Sequence, residues 1–121
     1  MAKNIVREIG NQLAVTVTVP TTPVSGDPVR WGVKAGVALN DEGADGKTTV
    51  KFDGTALLSV KGITDSGTNS AVTEGQALYY SDGDTPPVSK KSNGTNSTLI
   101  GHAMGAVGSG ATATIEVRLA G

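Results

Sequence analysis

The chain has 121 residues, a formal net charge of −1 and no cysteine. This length suits one domain with a modest core, and the lack of cysteine excludes disulfides and thiolate chemistry. A charge so close to neutral argues against a nucleic-acid-binding protein, which normally carries a basic face. No apolar run reaches the roughly 20 residues of a membrane span, and the charged first residues do not resemble an export signal. We therefore expect a protein made in a cytoplasm without export that binds neither nucleic acid nor membrane.

The composition indicates an all-β chain that is rich in turns. Seventeen glycines accompany many threonines and valines, whereas only four residues are aromatic. Few large side chains means a thin core, so oligomerisation is expected to contribute to stability.

The first predicted strands follow from the alternation of apolar and polar residues. Residues 13–19 alternate in this way, and Pro20 and Pro23 end the strand because proline cannot donate to a ladder. After a turn at residues 25–28, the sequence predicts short strands at 29–33 and 37–39, interrupted by glycines.

The middle of the chain predicts a hairpin over residues 48–61. Residues 49–52 and 55–60 are apolar enough for strands, and Asp53-Gly54 between them is a strong tight-turn signal. A polar loop, residues 40–47, precedes this segment.

The second half of the chain predicts strands at 77–80, 99–104 and 111–119, with the last showing the cleanest alternation. Residues 81–97 are polar and are predicted to form an exposed loop. Since no helical period competes with these strands, we predict a small single-domain sandwich or β-barrel.

Two passages of the chain loosely repeat each other. Residues 24–31 read VSGDPVRW and residues 73–80 read TEGQALYY, and a glycine-led apolar segment follows each. We predict that the repeat is architectural, with Gly26 and Gly75 at turns and both passages forming strands of one sheet system. The repeat is too short to establish a duplication by itself, because turn chemistry alone can produce it.

The sequence predicts no catalytic, cofactor-binding or metal site. His102 is the only histidine and has no evident nucleophile or orienting acid, so a structural or exposed strand residue is the favoured interpretation. Asp82, Asp84 and the carboxylates of residues 41–45 lack the spacing of a calcium loop and are interpreted as solvated turn residues.

The aromatic residues are candidates for an interface. The scarcity of aromatics favours the core for Trp31, although an aromatic side chain on a β surface can also anchor a partner. Tyr79 and Tyr80 are adjacent, so they point to opposite faces, and one of them is expected to face outward. We take Trp31 and Tyr80 as interface candidates.

The order and spacing of several segments resemble the small capsid cement, or decoration, proteins of tailed bacteriophages. The resemblance extends over nearly the whole chain. These segments are MAKN at residues 1–4, VSGDPV at 24–29, GVAL at 36–39, VKFDG at 50–54, GQALY at 75–79, IG at 100–101 and IEVRL at 115–119. The resemblance implies a compact β-fold often called a β-tulip, an N-terminal arm, trimers on the outer capsid surface, and no catalysis.

The expected organisation is an extended N-terminal arm at residues 1–10 and a single β domain at residues 11–121. Ile5, Val6 and Ile9 are too apolar for a free tail. Their partner is either the protein's own core or an exposed sheet edge of the capsid protein or a neighbouring subunit, and the resemblance favours the second. They complete the set of interface candidates.

The leading hypothesis is therefore a structural protein of the virion. It would bind the outer capsid surface, associate as a homotrimer and stabilise the lattice of the major capsid protein. The alternative is a small carbohydrate- or ligand-binding β-module, which needs an exposed aromatic platform. An enzyme built around His102 is a weaker third possibility.

Overall fold

The computed structural model describes residues 12–64, 67–92 and 97–119, and these residues form nine β-strands. The strands are β1 Gln12–Val15, β2 Pro28–Trp31, β3 Lys34–Ala38, β4 Thr48–Lys51, β5 Thr55–Lys61, β6 Ala77–Tyr80, β7 Val88–Ser89, β8 Thr98–Ala103 and β9 Thr112–Leu119. The predicted all-β class is confirmed. Ile5, Val6, Ile9 and the rest of the predicted arm lie outside the described residues.

The strands form two separate hydrogen-bonded systems. The first is a four-stranded antiparallel sheet in the order β1-β4-β3-β2. The second is a closed barrel in the order β5-β7-β6-β8-β9, in which β5 and β7 run parallel and the other neighbours antiparallel. The prediction of a small β-barrel is therefore also confirmed.

The two systems repeat one arrangement of four strands. Around the barrel, β5-β9-β8-β6 follow one another as β1-β4-β3-β2 do in the sheet. We call residues 12–53 the first unit and residues 54–119 the second unit. The registers agree at four pairs: Val29↔Gly36, Val37↔Lys51, Ala38↔Val50 and Leu13↔Val50 in the first unit match Leu78↔Gly101, His102↔Arg118, Ala103↔Val117 and Ala56↔Val117 in the second. The pairing of β6 with β8 then shifts between Leu78 and Tyr79, which the pairing of β2 with β3 does not.

The hydrophobic cores of the two units are built from equivalent positions. Six buried side chains form the core of the first unit, and each has a buried counterpart in the second. The pairs are Val15 and Leu58, Val17 and Val60, Val29 and Leu78, Ala38 and Ala103, Val50 and Val117, and Phe52 and Leu119. Agreement in strand order, register and core shows that the repeated passages belong to an internal structural duplication.

The repeated glycine turns are equivalent in detail. Gly26 and Gly75 have φ of 90° and 86°, a conformation that glycine adopts without steric cost. The Gly26 amide donates to Ala38 O at 2.8 Å, and the Gly75 amide donates to Ala103 O at 2.7 Å. The predicted turns are confirmed. The prediction of one sheet system is wrong, because each strand after the turn pairs with the glycine-led strand of its own unit.

The predicted hairpin over residues 48–61 is also wrong. Strand β4 pairs with β1 and β3, whereas β5 pairs with β7 and β9. Asp53-Gly54 therefore carries the chain from one unit to the other. A tight-turn signal specifies a local reversal of the chain but does not specify which strands pair.

Residues 81–92, which lie within the exposed loop predicted at 81–97, contain more regular structure than that prediction. They contain β7, whose two residues are buried, and Val88 is fully buried between β5 and β6. A strand of two residues shows no alternation, which explains why the sequence pattern missed it.

The units pack against each other through equivalent strands. Strand β3 lies against β8, and β2 lies against β6. Ala35 and Val37 on the outer face of β3 belong to the same hydrophobic cluster as the barrel interior. Contacts between equivalent elements are typical of a local two-fold relation.

Candidate interface

The turn between β2 and β3 exposes apolar side chains. Trp31 and Lys34 are paired across the turn, and Gly32 and Val33 form it. Val33 is 95% exposed and Trp31 is 37% exposed. We call residues 31–34 the hairpin tip. Exposed apolar side chains beside an aromatic ring are typical of protein interfaces.

Hydrogen bonds from two directions brace the hairpin tip. The Gly32 amide donates to Thr18 Oγ1 at 2.9 Å, and Arg30 Nη1 donates to Gly32 O at 2.6 Å. The tip is therefore held in one conformation before any partner binds. Such preorganisation lowers the entropic cost of association.

Arg30 ties the tip to the second unit. Its Nε and Nη2 donate to the two carboxylate oxygens of Asp82 at 2.9 and 2.8 Å. The hydrogen bonding of Arg30 to Asp82 is the main reason that the pKa of Arg30 lies above its usual value. Asp82 follows β6, so this bidentate pair crosses between the units.

Trp31 stands at the edge of the first core. Its ring centroid is 5.8 Å from that of buried Phe52, with a 40° angle between the ring planes. Lys34 Nζ lies 5.5 Å from the Phe52 ring centroid, a distance that allows a cation–π interaction. The prediction that Trp31 fills the core is therefore wrong, because β2 ends at Trp31 and the chain turns back before the core can enclose the ring.

The two tyrosines occupy different environments. Tyr80 is 4% exposed and belongs to the barrel core, whereas Tyr79 is half-buried. Burial raises the pKa of Tyr80 to about 12, and the negative charge of Asp82 adds to the shift. Tyr80, predicted as an interface residue, offers little surface to a partner in this chain.

Sequence reasoning did not single out most of the exposed apolar residues. These include Val24, Val33, Leu39, Leu57, Leu99 and Met104. The period of two along β5 carries a usable signal for Leu57, which lies between inward-facing Ala56 and Leu58. Leu99 likewise lies between buried Thr98 and Ile100 in β8, whereas Val24, Val33, Leu39 and Met104 lie outside the strands, where no period exists.

The described ranges offer little for other chemistry. His102 is exposed on the barrel and lies opposite Arg118 across the β8–β9 ladder. Within residues 12–64, 67–92 and 97–119, no group of three or more His, Cys, Asp or Glu side chains could hold a metal ion. The same residues contain no helix with the length and apolar character that a membrane crossing requires.

Comparison with known proteins agrees with a structural role. No curated protein and no solved structure matches the chain significantly. A family model described as phage cement protein matches residues 8–119, which include both units. The chain therefore belongs to the phage cement protein family.

Proposed function

We propose that this chain binds the outer surface of a phage capsid and stabilises the lattice of the major capsid protein without catalysing a reaction. The observation that carries this proposal is the family match over residues 8–119. A protein that binds the assembled lattice more tightly than free subunits stabilises the lattice by mass action. The family match therefore supports the role that the resemblance of the sequence had implied.

The hairpin tip is the proposed anchor on the capsid. An interface draws most of its affinity from a few buried side chains, and tryptophan is prominent among them. Trp31 and Val33 offer apolar surface that water leaves on binding, and the bonds to Gly32 hold that surface in place. Val33 gains most from burial, since it is almost fully exposed in the free chain.

Self-association and the arm complete the proposal. We propose that residues 11–121 act as one β domain, that the chain forms a homotrimer on the capsid, and that residues 1–10 extend from the domain. Ile5, Val6 and Ile9 would fill pockets of the capsid protein or of a neighbouring copy. The homotrimer rests on the resemblance to the family and on the thin core, and the outward-reaching arm rests on its apolar residues.

Binding to capsids tests the anchor. Trp31→Ala and Val33→Ser are compared with wild type on expanded capsids of the phage that encodes this chain, with Leu57→Ser as an exposed control. We expect the tip variants to lose roughly 10- to 30-fold in affinity and the control to lose little. Unchanged binding of both tip variants rejects the anchor. A wild-type chain that binds glycans but no capsid rejects the cement role and favours the ligand-binding module.

Deletion of residues 2–9 tests the arm. An arm that serves the capsid leaves the thermal melt nearly unchanged and weakens capsid binding. Unfolding of the truncated chain, or binding equal to that of the intact chain, contradicts an arm that reaches outward.

A further inference from the structure

Leu39 and Met104 occupy equivalent positions in the two units, and both are exposed. Each residue follows the glycine-led strand of its unit. The Leu39 amide donates to Thr49 O at 2.8 Å, and the Met104 amide donates to Glu116 O at 2.9 Å. Leu39 is 41% exposed and Met104 is 47% exposed. The duplication therefore places one apolar side chain on the surface of each unit at the same point of the fold.

The glycine turn of each unit borders this apolar residue. In the first unit, Ser25 Oγ donates to Leu39 O at 3.2 Å, and Val24 in the same turn is 51% exposed. In the second unit, the Gly75 amide is bonded to the carbonyl of Ala103, the residue before Met104. We call Val24, Ser25 and Leu39 the first patch, and Thr73, Glu74 and Met104 the second patch.

Carboxylates lie beside both patches. Asp27 accepts the Val24 amide at 3.0 Å and Asp41 accepts the Ser25 amide at 2.9 Å, so both are fixed at the first patch. Glu74 belongs to the second patch, and Glu116 is the residue whose carbonyl binds the Met104 amide. The side chains of Glu74 and Glu116 are both exposed. A partner that complements either patch therefore combines an apolar side chain with lysine or arginine.

Other equivalent positions on the two surfaces have diverged. Ala14 of β1 corresponds to Leu57 of β5, and half-exposed Trp31 corresponds to buried Tyr80. Buried Val37 corresponds to exposed His102. The exposed apolar residue is thus retained where several other positions differ, and Lys51 and Arg118 also correspond as basic residues.

We propose that the two patches bind two copies of one partner surface, consisting of an apolar side chain bordered by basic residues. This rests on the proposed function: the repeated surface is that of neighbouring major capsid protein subunits, and one cement chain bridges two of them. Equivalent strands meet where the units pack, and equivalent backbone hydrogen bonds fix Leu39 and Met104, so a partner that itself repeats can contact both patches in the same way. Two tethered contacts bind far more tightly than either contact alone, so the bridged lattice is selected over free subunits.

The test compares assembled capsids with unassembled major capsid protein, using Leu39→Ser, Met104→Ser and the double variant. On capsids, each single variant is expected to lose at least roughly 30-fold in affinity, and the two losses are expected to be similar. On unassembled subunits, each single variant keeps one patch and loses only about two-fold. The double variant keeps only the binding that the hairpin tip supplies, on capsids and on subunits alike. Leu99→Ser, exposed but outside the patches, is the control and stays near wild type.

Glu74→Lys provides a second measurement that does not depend on losing an apolar side chain. It places a positive charge against the basic border and is expected to weaken capsid binding as Met104→Ser does, with the melt unchanged. A loss confined to one of the two patches overturns the bridge, as do losses on subunits equal to those on capsids. Altered self-association of the single variants assigns the patches to contacts between copies and also overturns it. If wild type fails to bind capsids, the proposed function itself fails.

Discussion

The two units differ most in how the chain crosses from the second strand of the repeat to the third. In the first unit, Gly32 and Val33 join β2 directly to β3. In the second unit, residues 81–97 join β6 to β8 and contain β7, which inserts beside β5 and closes the barrel. One crossing thus exposes apolar side chains, and the other completes a core. The same scaffold therefore exposes apolar surface or closes a core according to one connection.

The cores reflect this difference. The first cluster contains six buried residues and the second contains thirteen, two of which, Ala35 and Val37, come from the first unit. Buried apolar area is the main source of stability, so the larger cluster is expected to dominate the free energy of unfolding. The first unit then depends on the second for part of its burial.

Replacing the equivalent glycines of the two glycine-led strands tests whether the units are packed alike, and it has the largest expected effect. A Cβ at Gly36 would overlap Lys51 O, and a Cβ at Gly101 would overlap Arg118 O. We expect Gly36→Ala and Gly101→Ala each to cost more than about 3 kcal/mol or to prevent folding, because backbone must shift. Urea unfolding measures both, with Gly105→Ala as a control whose Cβ has ordinary contacts. Tolerance of either substitution breaks the equivalence.

Breaking the ion pair between the units is expected to have the next largest effect on stability. The side chains of Arg30 and Asp82 are 11% and 18% exposed, so Asp82→Asn leaves a largely buried guanidinium without its counter-charge. We expect a loss of about 2–3 kcal/mol in the free energy of unfolding and weaker capsid binding through the loosened tip.

The pair Lys91–Asp84 supplies the matched control, since it is longer at 3.3 Å and more exposed. Asp84→Asn is expected to cost less than about 1 kcal/mol in the same urea titration. Equal losses for both variants show that the first pair has no special role in joining the units.

Unfolding at alkaline pH tests whether Tyr80 is buried in the barrel, in contrast to half-exposed Trp31 at the equivalent position. The pKa of Tyr80 is about 12 in the folded chain, and that of an unfolded tyrosine is about 10. Because the pKa of Tyr80 is higher in the folded chain, its contribution to the free energy of unfolding is complete below pH 10. That contribution is lost as the pH rises toward 12. We expect Tyr80 to account for a loss of about 1 kcal/mol by pH 11 and about 2 kcal/mol by pH 12. Tyr80→Phe should remove this part of the pH dependence, and an unchanged slope in the variant contradicts burial of Tyr80.

Replacing Thr48 is expected to have the smallest effect on stability. Its Oγ1 is buried without a hydrogen-bond partner, and the equivalent position of the second unit holds Ile115. Thr48→Val keeps the shape and removes an unsatisfied hydroxyl, so we expect stabilisation of about 1 kcal/mol. Thr114→Val, at an exposed strand position, serves as the control in thermal melts. A destabilised Thr48→Val variant implies a partner for the hydroxyl.

The sequence predicts where most strands lie but not how they pair. Strand β6 coincides with the predicted 77–80, and β9 falls within the predicted 111–119, because alternation is a local property. Pairing of β4 and β5 is not local: each strand finds better partners in its own unit than across Asp53-Gly54. Trp31 belongs to the predicted site, but its exposure depends on where β2 ends. Val33 carries no periodic signal, so its exposure could be learned only from the fold.

One hydrogen bond gives the second unit a further property. The Leu119 amide donates to Gly54 O at 2.8 Å, so the last described strand returns to the residue at which the unit begins. Entry and exit points held side by side are the geometry that inserted domains use, because a host loop can accept such a segment without being stretched. A loop of another protein that received residues 54–119 would therefore not be stretched, although Ala35 and Val37, which complete the barrel's cluster, would be left behind.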